Sequence, residues 1–104
     1  MKNSLVGIQM QINRIKKELQ TIGEIRPGSL TRQYHFPKNK KGGYYQLSYT
    51  RHMHSRTDYV HKEFLNDLNR QIKNYKKFKN LINRWVDLAI RHSKIKIDFA
   101  IKKK

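Results

Sequence analysis

Arg70, Lys73, Lys77, Arg84 and Arg91 recur at spacings of 3, 4, 7 and 7. At ~100° per residue, such spacing places all five cations on one face of a helix, nearly opposite its apolar seam. The chemistry open to a row of this kind is neutralisation of a polyanion, phosphates above all. A merely solvated helix face would balance its cations with Glu or Asp at i,i+4, and acidic neighbours are few here.

A second group of cations lies upstream. Lys38, Lys40 and Lys41 share one turn, Arg51 and Arg56 lie near the next, and Arg32 precedes both. Tyr44, Tyr45, Tyr49 and Tyr59 are interleaved with them. Cations mixed with aromatic rings hold phosphates and stack unpaired bases. Tyr45, Leu47 and Tyr49 alternate as the buried face of a strand would. Tyr44 falls on the other face and is the stacking candidate. The Lys-Lys-Gly-Gly turn lacks the helix context of a nucleotide-phosphate loop.

His52-Met53-His54 matches the His-apolar-His pattern with which some single-strand endonucleases hold a metal beside a nucleophilic Tyr. Two imidazoles two residues apart on a strand face the same way, as a metal requires. Here the pair falls at a predicted turn, and no carboxylate pattern completes a site. Asp58 and Tyr75 are available, but nothing in the sequence brings them near. The reading is a pair of solvent-facing histidines, with no metal and no cofactor. The seven acidic residues are scattered, and neither a Gly-rich nucleotide loop nor a nucleophile elbow is present. A non-enzyme is expected.

The whole composition points the same way. Lys and Arg number 24 against 7 Asp and Glu, a net charge of +17 spread along all 104 residues. Such a surface concentrates polyanions around itself. Hydrophobic residues make up 37%, so the core must be thin and helical or completed by a partner. Aromatics at 11% argue against disorder. A chain of this length suits one domain (1–104), burying roughly 60–65% of its unfolded surface. With no cysteine, neither disulfides nor a Cys-based zinc site can staple it. Residues 1–10 lack the apolar core of a signal peptide, and no apolar run approaches membrane length. A soluble, cytoplasmic protein with no membrane partner is expected.

These residues need elements to position them. Leu5, Ile8, Ile12, Ile15, Leu19 and Ile22 step by 3, 4, 3, 4 and 3, a heptad seam that predicts a helix over 1–22. Ser4 suits its N-cap, and Gly23 is placed to stop it. Pro27-Gly28 marks a turn. From 29 to 60 the period becomes two. Leu30, Arg32, Tyr34 and Phe36 share one side of a first strand, Tyr45, Leu47 and Tyr49 that of a second. Residues 55–60 form a third strand after a turn at 51–54. A long helix is predicted over 62–97, with Leu68, Ile72, Tyr75, Phe78, Ile82, Trp85 or Val86, and Ala89 as its seam. Fraying is expected beyond Lys94, and 98–104 reads as a basic tail. The predicted fold is α+β: N-terminal helix, three-stranded antiparallel meander, and a long C-terminal helix pairing with the first. The seams serve either that internal pairing or a partner, a homodimer or a larger protein.

Two blocks carry a family resemblance: Arg26-Pro27-Gly28-Ser29-Leu30-Thr31-Arg32-Gln33-Tyr34 and Gly43-Tyr44-Tyr45-Gln46-Leu47-Ser48-Tyr49-Thr50. With Gln71-Ile72-Lys73-Asn74-Tyr75-Lys76-Lys77-Phe78 and Trp85-Val86-Asp87-Leu88-Ala89, they resemble a small prokaryotic family of unknown function over residues 20–92. Its members look like accessory proteins of mobile genetic elements, encoded near transposases. The resemblance implies a role around transposon DNA or in a nucleoprotein, without catalysis. Members typically carry a cysteine-rich knuckle where this chain has His35-Phe36-Pro37-Lys38-Asn39-Lys40-Lys41-Gly42, so metal binding does not carry over. A cationic loop replaces it, which suits backbone binding. The expected function is non-catalytic binding of DNA or RNA through phosphates. A small subunit docking on a transposase or nuclease through its seams is the rival, and a His-apolar-His endonuclease a distant third.

Overall fold

The computed structural model describes residues 4–36, 38 and 41–102. Helix α1 spans Leu5–Gln20, strands β1, β2 and β3 span Ser29–Phe36, Lys41–Arg51 and His54–Val60, and a 3-10 turn at Lys62–Phe64 leads into α2, Leu65–Lys102. The fold is the expected α+β arrangement. The chain divides into two compact units. Met1–Ile22 and Lys77–Lys104 form one, and Gly23–Lys76 the other.

The first unit is a helix pair. Ser4 caps α1 by accepting the Gly7 N–H on its hydroxyl at 3.1 Å. The C-cap is Thr21 rather than Gly23: the Thr21 N–H donates to the Glu18 and Leu19 carbonyls, and its hydroxyl reaches the Glu18 carbonyl at 2.6 Å. Ile8, Ile12 and Ile15 of α1 pack with Leu81 and Leu88 of α2, and Leu19, Ile22, Trp85 and Ile95 close over them. The α1 seam is therefore used inside the unit. Leu81 and Leu88, rather than Ile82 and Ala89, are the buried α2 residues. The heptad phase running on from Leu68 and Ile72 does not hold in this unit, because here the helix meets α1 and not a sheet. Helix α2 continues past Lys94 to Lys102, so residues 98–102 are helical rather than a tail.

The second unit is the meander backed by the start of α2. Its strands are antiparallel in the order β1-β2-β3. Register sets Leu30 opposite Leu47, and Tyr45 opposite both Arg32 and Val60. Leu47, Val60 and Ile72 form the core, flanked by Leu30, Tyr45, Tyr49, Leu65 and Leu68. The connection from α1 is tied to the helix: the Arg26 N–H donates to the Gln71 carbonyl at 3.2 Å, and Asn74 Nδ2 to the Glu24 carbonyl at 2.9 Å.

Gly28 enters β1 at a φ of 137°, where a Cβ would lie 2.7 Å from Leu47 Cδ1 and 3.0 Å from the Ser48 carbonyl oxygen. Backbone and packing both demand glycine there. Gly28→Ala is expected to cost about 2–3 kcal/mol, the sum of a forbidden φ and an overpacked neighbour. A drop in the urea midpoint at unchanged slope would register it; an unchanged midpoint would show that the turn relaxes freely.

The β2–β3 turn is the opposite case. His52 and Met53 occupy φ of 53° and 66° between the paired Arg51 and His54. Positive φ at both central residues matches the right-handed twist of a hairpin, yet costs any side chain that carries a Cβ. Exchanging the pair for Asn-Gly is expected to stabilise the protein by about 1 kcal/mol, read as a raised urea midpoint.

Candidate nucleic-acid interface

In the second unit, Arg70 and Lys73 are exposed on α2. Arg70 is not an uncompensated cation: its guanidinium reaches Asp67 Oδ1 at 3.1 Å, while Asp67 Oδ2 accepts from Gln71 Nε2 at 2.9 Å. The acidic residue sits at i−3, the other helical neighbour position. Lys73 forms no ion pair among the described residues.

Arg32 has a different surrounding from the one its sequence position suggests. It shares the Leu30 side of β1, and its guanidinium lies 5.2 Å from the Tyr34 ring and 5.6 Å from the Tyr45 ring. Gly43 makes room for it, since a Cβ there would sit 2.9 Å from Arg32 Nε. Cation–π packing of this kind holds the side chain while leaving its N–H groups open at the surface. Arg26, which sequence reasoning passed over, does similar work. It lies 4.9 Å from the Tyr49 ring and pairs with Asp58 at 3.1 Å. Arg51 and Arg56 are exposed on the β2–β3 hairpin, opposite His54 and Tyr49 in register. Lys38 is exposed; Lys40 lies outside the described residues, and of Lys41 only the backbone is described, paired with Phe36. Tyr44 does lie on the face away from Leu47, its ring stacked on that of Tyr59 at 6.0 Å.

His52 and His54 do not face the same way from one strand. His52 occupies the turn and His54 begins β3, so the alternation that would align them is broken. Among the described residues no group of three or more His, Asp or Glu is placed to hold a metal.

In the first unit, Lys77, Arg84 and Arg91 are exposed on α2. Arg84 and Arg91 were expected nearly opposite the packed seam. Instead they border it, because Arg84 lies three residues after Leu81 and four before Leu88, and Arg91 three after Leu88. Arg84 consequently lines an open groove of about 470 Å³ with Arg14, Gln11 and Glu18 of α1. Arg14 is the residue that sequence reasoning missed, since α1 was read only for its apolar seam. Arg91 borders a smaller hollow of about 240 Å³ with Ile8, Lys94 and Ile95. Two guanidinium groups on one groove can fork onto phosphate oxygens, a geometry that Lys cannot supply.

Another stretch of the α2 surface in this unit is apolar. Ile82, Val86, Ala89 and Ile90 line an open groove of about 560 Å³, and Val86 and Ile90 are each about half exposed. No helix among the described residues is long and apolar enough to cross a membrane. Comparison with models of known families, with curated proteins and with solved structures finds no match to this chain.

Proposed function

We propose that this chain binds nucleic acid, DNA or RNA, chiefly through its phosphates, as a non-catalytic accessory protein of a mobile genetic element. One observation carries the binding: Lys73, Lys77 and Arg84 are exposed and form no ion pair among the described residues. A chain of net charge +17 that leaves cations uncompensated lowers its own repulsion when a polyanion displaces counterions from both partners. Arg14 beside Arg84, and Arg51 with Arg56 on the hairpin, add further cations of the same chemistry. The mobile-element setting rests on the resemblance of the Arg26–Tyr34 and Gly43–Thr50 blocks.

The test is a binding titration against duplex DNA and against single-stranded RNA across a range of salt. Affinity should fall linearly in log–log form, steeply enough to count several released counterions. Absence of binding to either polymer at low salt overturns the proposal.

A second reading is favoured by the apolar groove on α2. In it the chain is a small subunit that docks a protein through Ile82, Val86 and Ile90. A charge introduced at Val86 would abolish that docking and leave phosphate binding intact.

A further inference from the structure

One face of the sheet in the second unit carries no charge among its described side chains. Those of β1, β2 and β3 that alternate away from Leu47 are hydroxyls, amides and phenols, from Thr31 and Gln33 to Thr57 and Tyr59. Two cross-strand hydroxyl pairs lie on it, Ser48 with Thr57 at 3.4 Å and Thr50 with Ser55 at 3.2 Å. In so basic a chain, this is the chemical opposite of a phosphate track.

A row of rings runs from this face around the β3 edge. Tyr44 stacks on Tyr59 with 21° between planes, Tyr59 meets His61 edge-on at 5.5 Å, and His61 meets Phe64 at 6.5 Å. Tyr59 is 64% exposed and Phe64 54%. Both line, with His61, an open groove of about 380 Å³ whose carboxylates, Asp58 and Asp67, are paired with Arg26 and Arg70. Rings this large normally contribute to a core, and leaving two of them in water forgoes that stabilisation.

We infer that the row is a stacking platform for unpaired nucleobases, so that the preferred ligand is single-stranded. The inference rests on the nucleic-acid reading above and adds to it. In a duplex, base faces are covered by their neighbours and only edges are offered in the grooves. An exposed ring therefore gains from a base only when the strand is open. The amides on this face fit the same ligand: Gln33 and Gln46 offer donors and acceptors to base edges. Arg51 and Arg56, which alternate to the Leu47 side of the sheet, and Lys73 are exposed cations of the same unit open to the strand's phosphates. The chain's net charge of +17 favours a polyanion with bare bases over an apolar peptide as the occupant.

The full chain is titrated with labelled oligouridine and with a duplex at one salt concentration, and the oligouridine titration is repeated across a salt series. Wild type should prefer the single strand. Tyr59→Ala and Phe64→Ala should each weaken single-strand binding by roughly tenfold, with the salt slope unchanged because no charge is removed. Tyr59→Phe should retain affinity, whereas Tyr59→Leu, which keeps apolar cover for the sheet, should weaken binding as much as Ala. Should both Ala variants bind like wild type while Lys73→Gln weakens binding, the platform is wrong and the phosphate reading stands. Equal weakening on duplex overturns the assignment to unpaired bases. No binding by wild type overturns both.

Discussion

Exchanging Arg70, Lys73, Lys77 and Arg84 together for Gln is expected to lower affinity for a polynucleotide by about two to three orders of magnitude near 0.1 M salt. Each neutralised phosphate contributes mainly through counterion release. The slope of log affinity against log salt therefore shrinks too, by about 0.7–0.9 for every phosphate left without its cation. Lys73, Lys77 and Arg84 should account for most of the change. Arg70 contributes as well, because its bond to Asp67 is an exposed pair, with side chains 69% and 47% exposed. Such pairs are worth about 1 kcal/mol at most and are readily exchanged for a phosphate. All four side chains lie at the surface, so the melting midpoint should hold or rise as like charges are removed. Separate variants of Arg70 with Lys73, and of Lys77 with Arg84, assign the effect to one unit or the other. An unchanged slope in both would remove these residues from the interface.

The second large effect concerns the core. Ile12 is 5% exposed, between Ile8 at 0% and Ile15 at 1%, in the cluster that holds Leu81 and Leu88. Ile12→Asp removes the burial of a branched side chain and leaves a carboxylate with no partner. The expected cost is on the order of 4 kcal/mol or more, against roughly 5–15 kcal/mol for a whole domain. Trp85 packs on this cluster and is the chain's one tryptophan, so its emission reports the first unit alone. A red-shifted emission and reduced helicity at moderate temperature are expected. Native emission from the variant would mean that α1 finds its cover elsewhere.

How much of this was legible in the chain varies by element. The step of 3 and 4 from Leu5 to Ile22 marked α1 because a buried helix must repeat its apolar residues each turn. Alternation about Leu47 marked the meander for the equivalent reason. The seam of α2 was misread beyond Phe78. Several apolar stripes coexist there, and only the position of α1 decides that Leu81 and Leu88 go inside. That same error displaced Arg84 and Arg91, whose neighbours depend on which stripe is buried. Residues 98–102 read as part of a basic tail, yet the helix persists to Lys102 through its own backbone bonds.

The candidate site was less legible than the fold. Basic residues announce themselves by number, but their companions do not. Alternation sets Arg32 beside Tyr34, but nothing local pairs it with the Tyr45 ring, or Arg26 with Asp58, which is 32 residues away. The row from Tyr44 to Phe64 draws on two strands, a connection and a 3-10 turn. No single periodicity could have gathered it.

The nesting of one unit within the other bears on how the protein is made. Residues 23–76 are contiguous, whereas α1 must wait for Leu81 and Leu88 before its isoleucines are covered. On a ribosome the meander can assemble while the far end is still being synthesised, with α1 exposing its apolar stripe throughout that interval. Premature termination near Lys76 would strand that stripe permanently, making truncated products sticky and good substrates for chaperones and proteases.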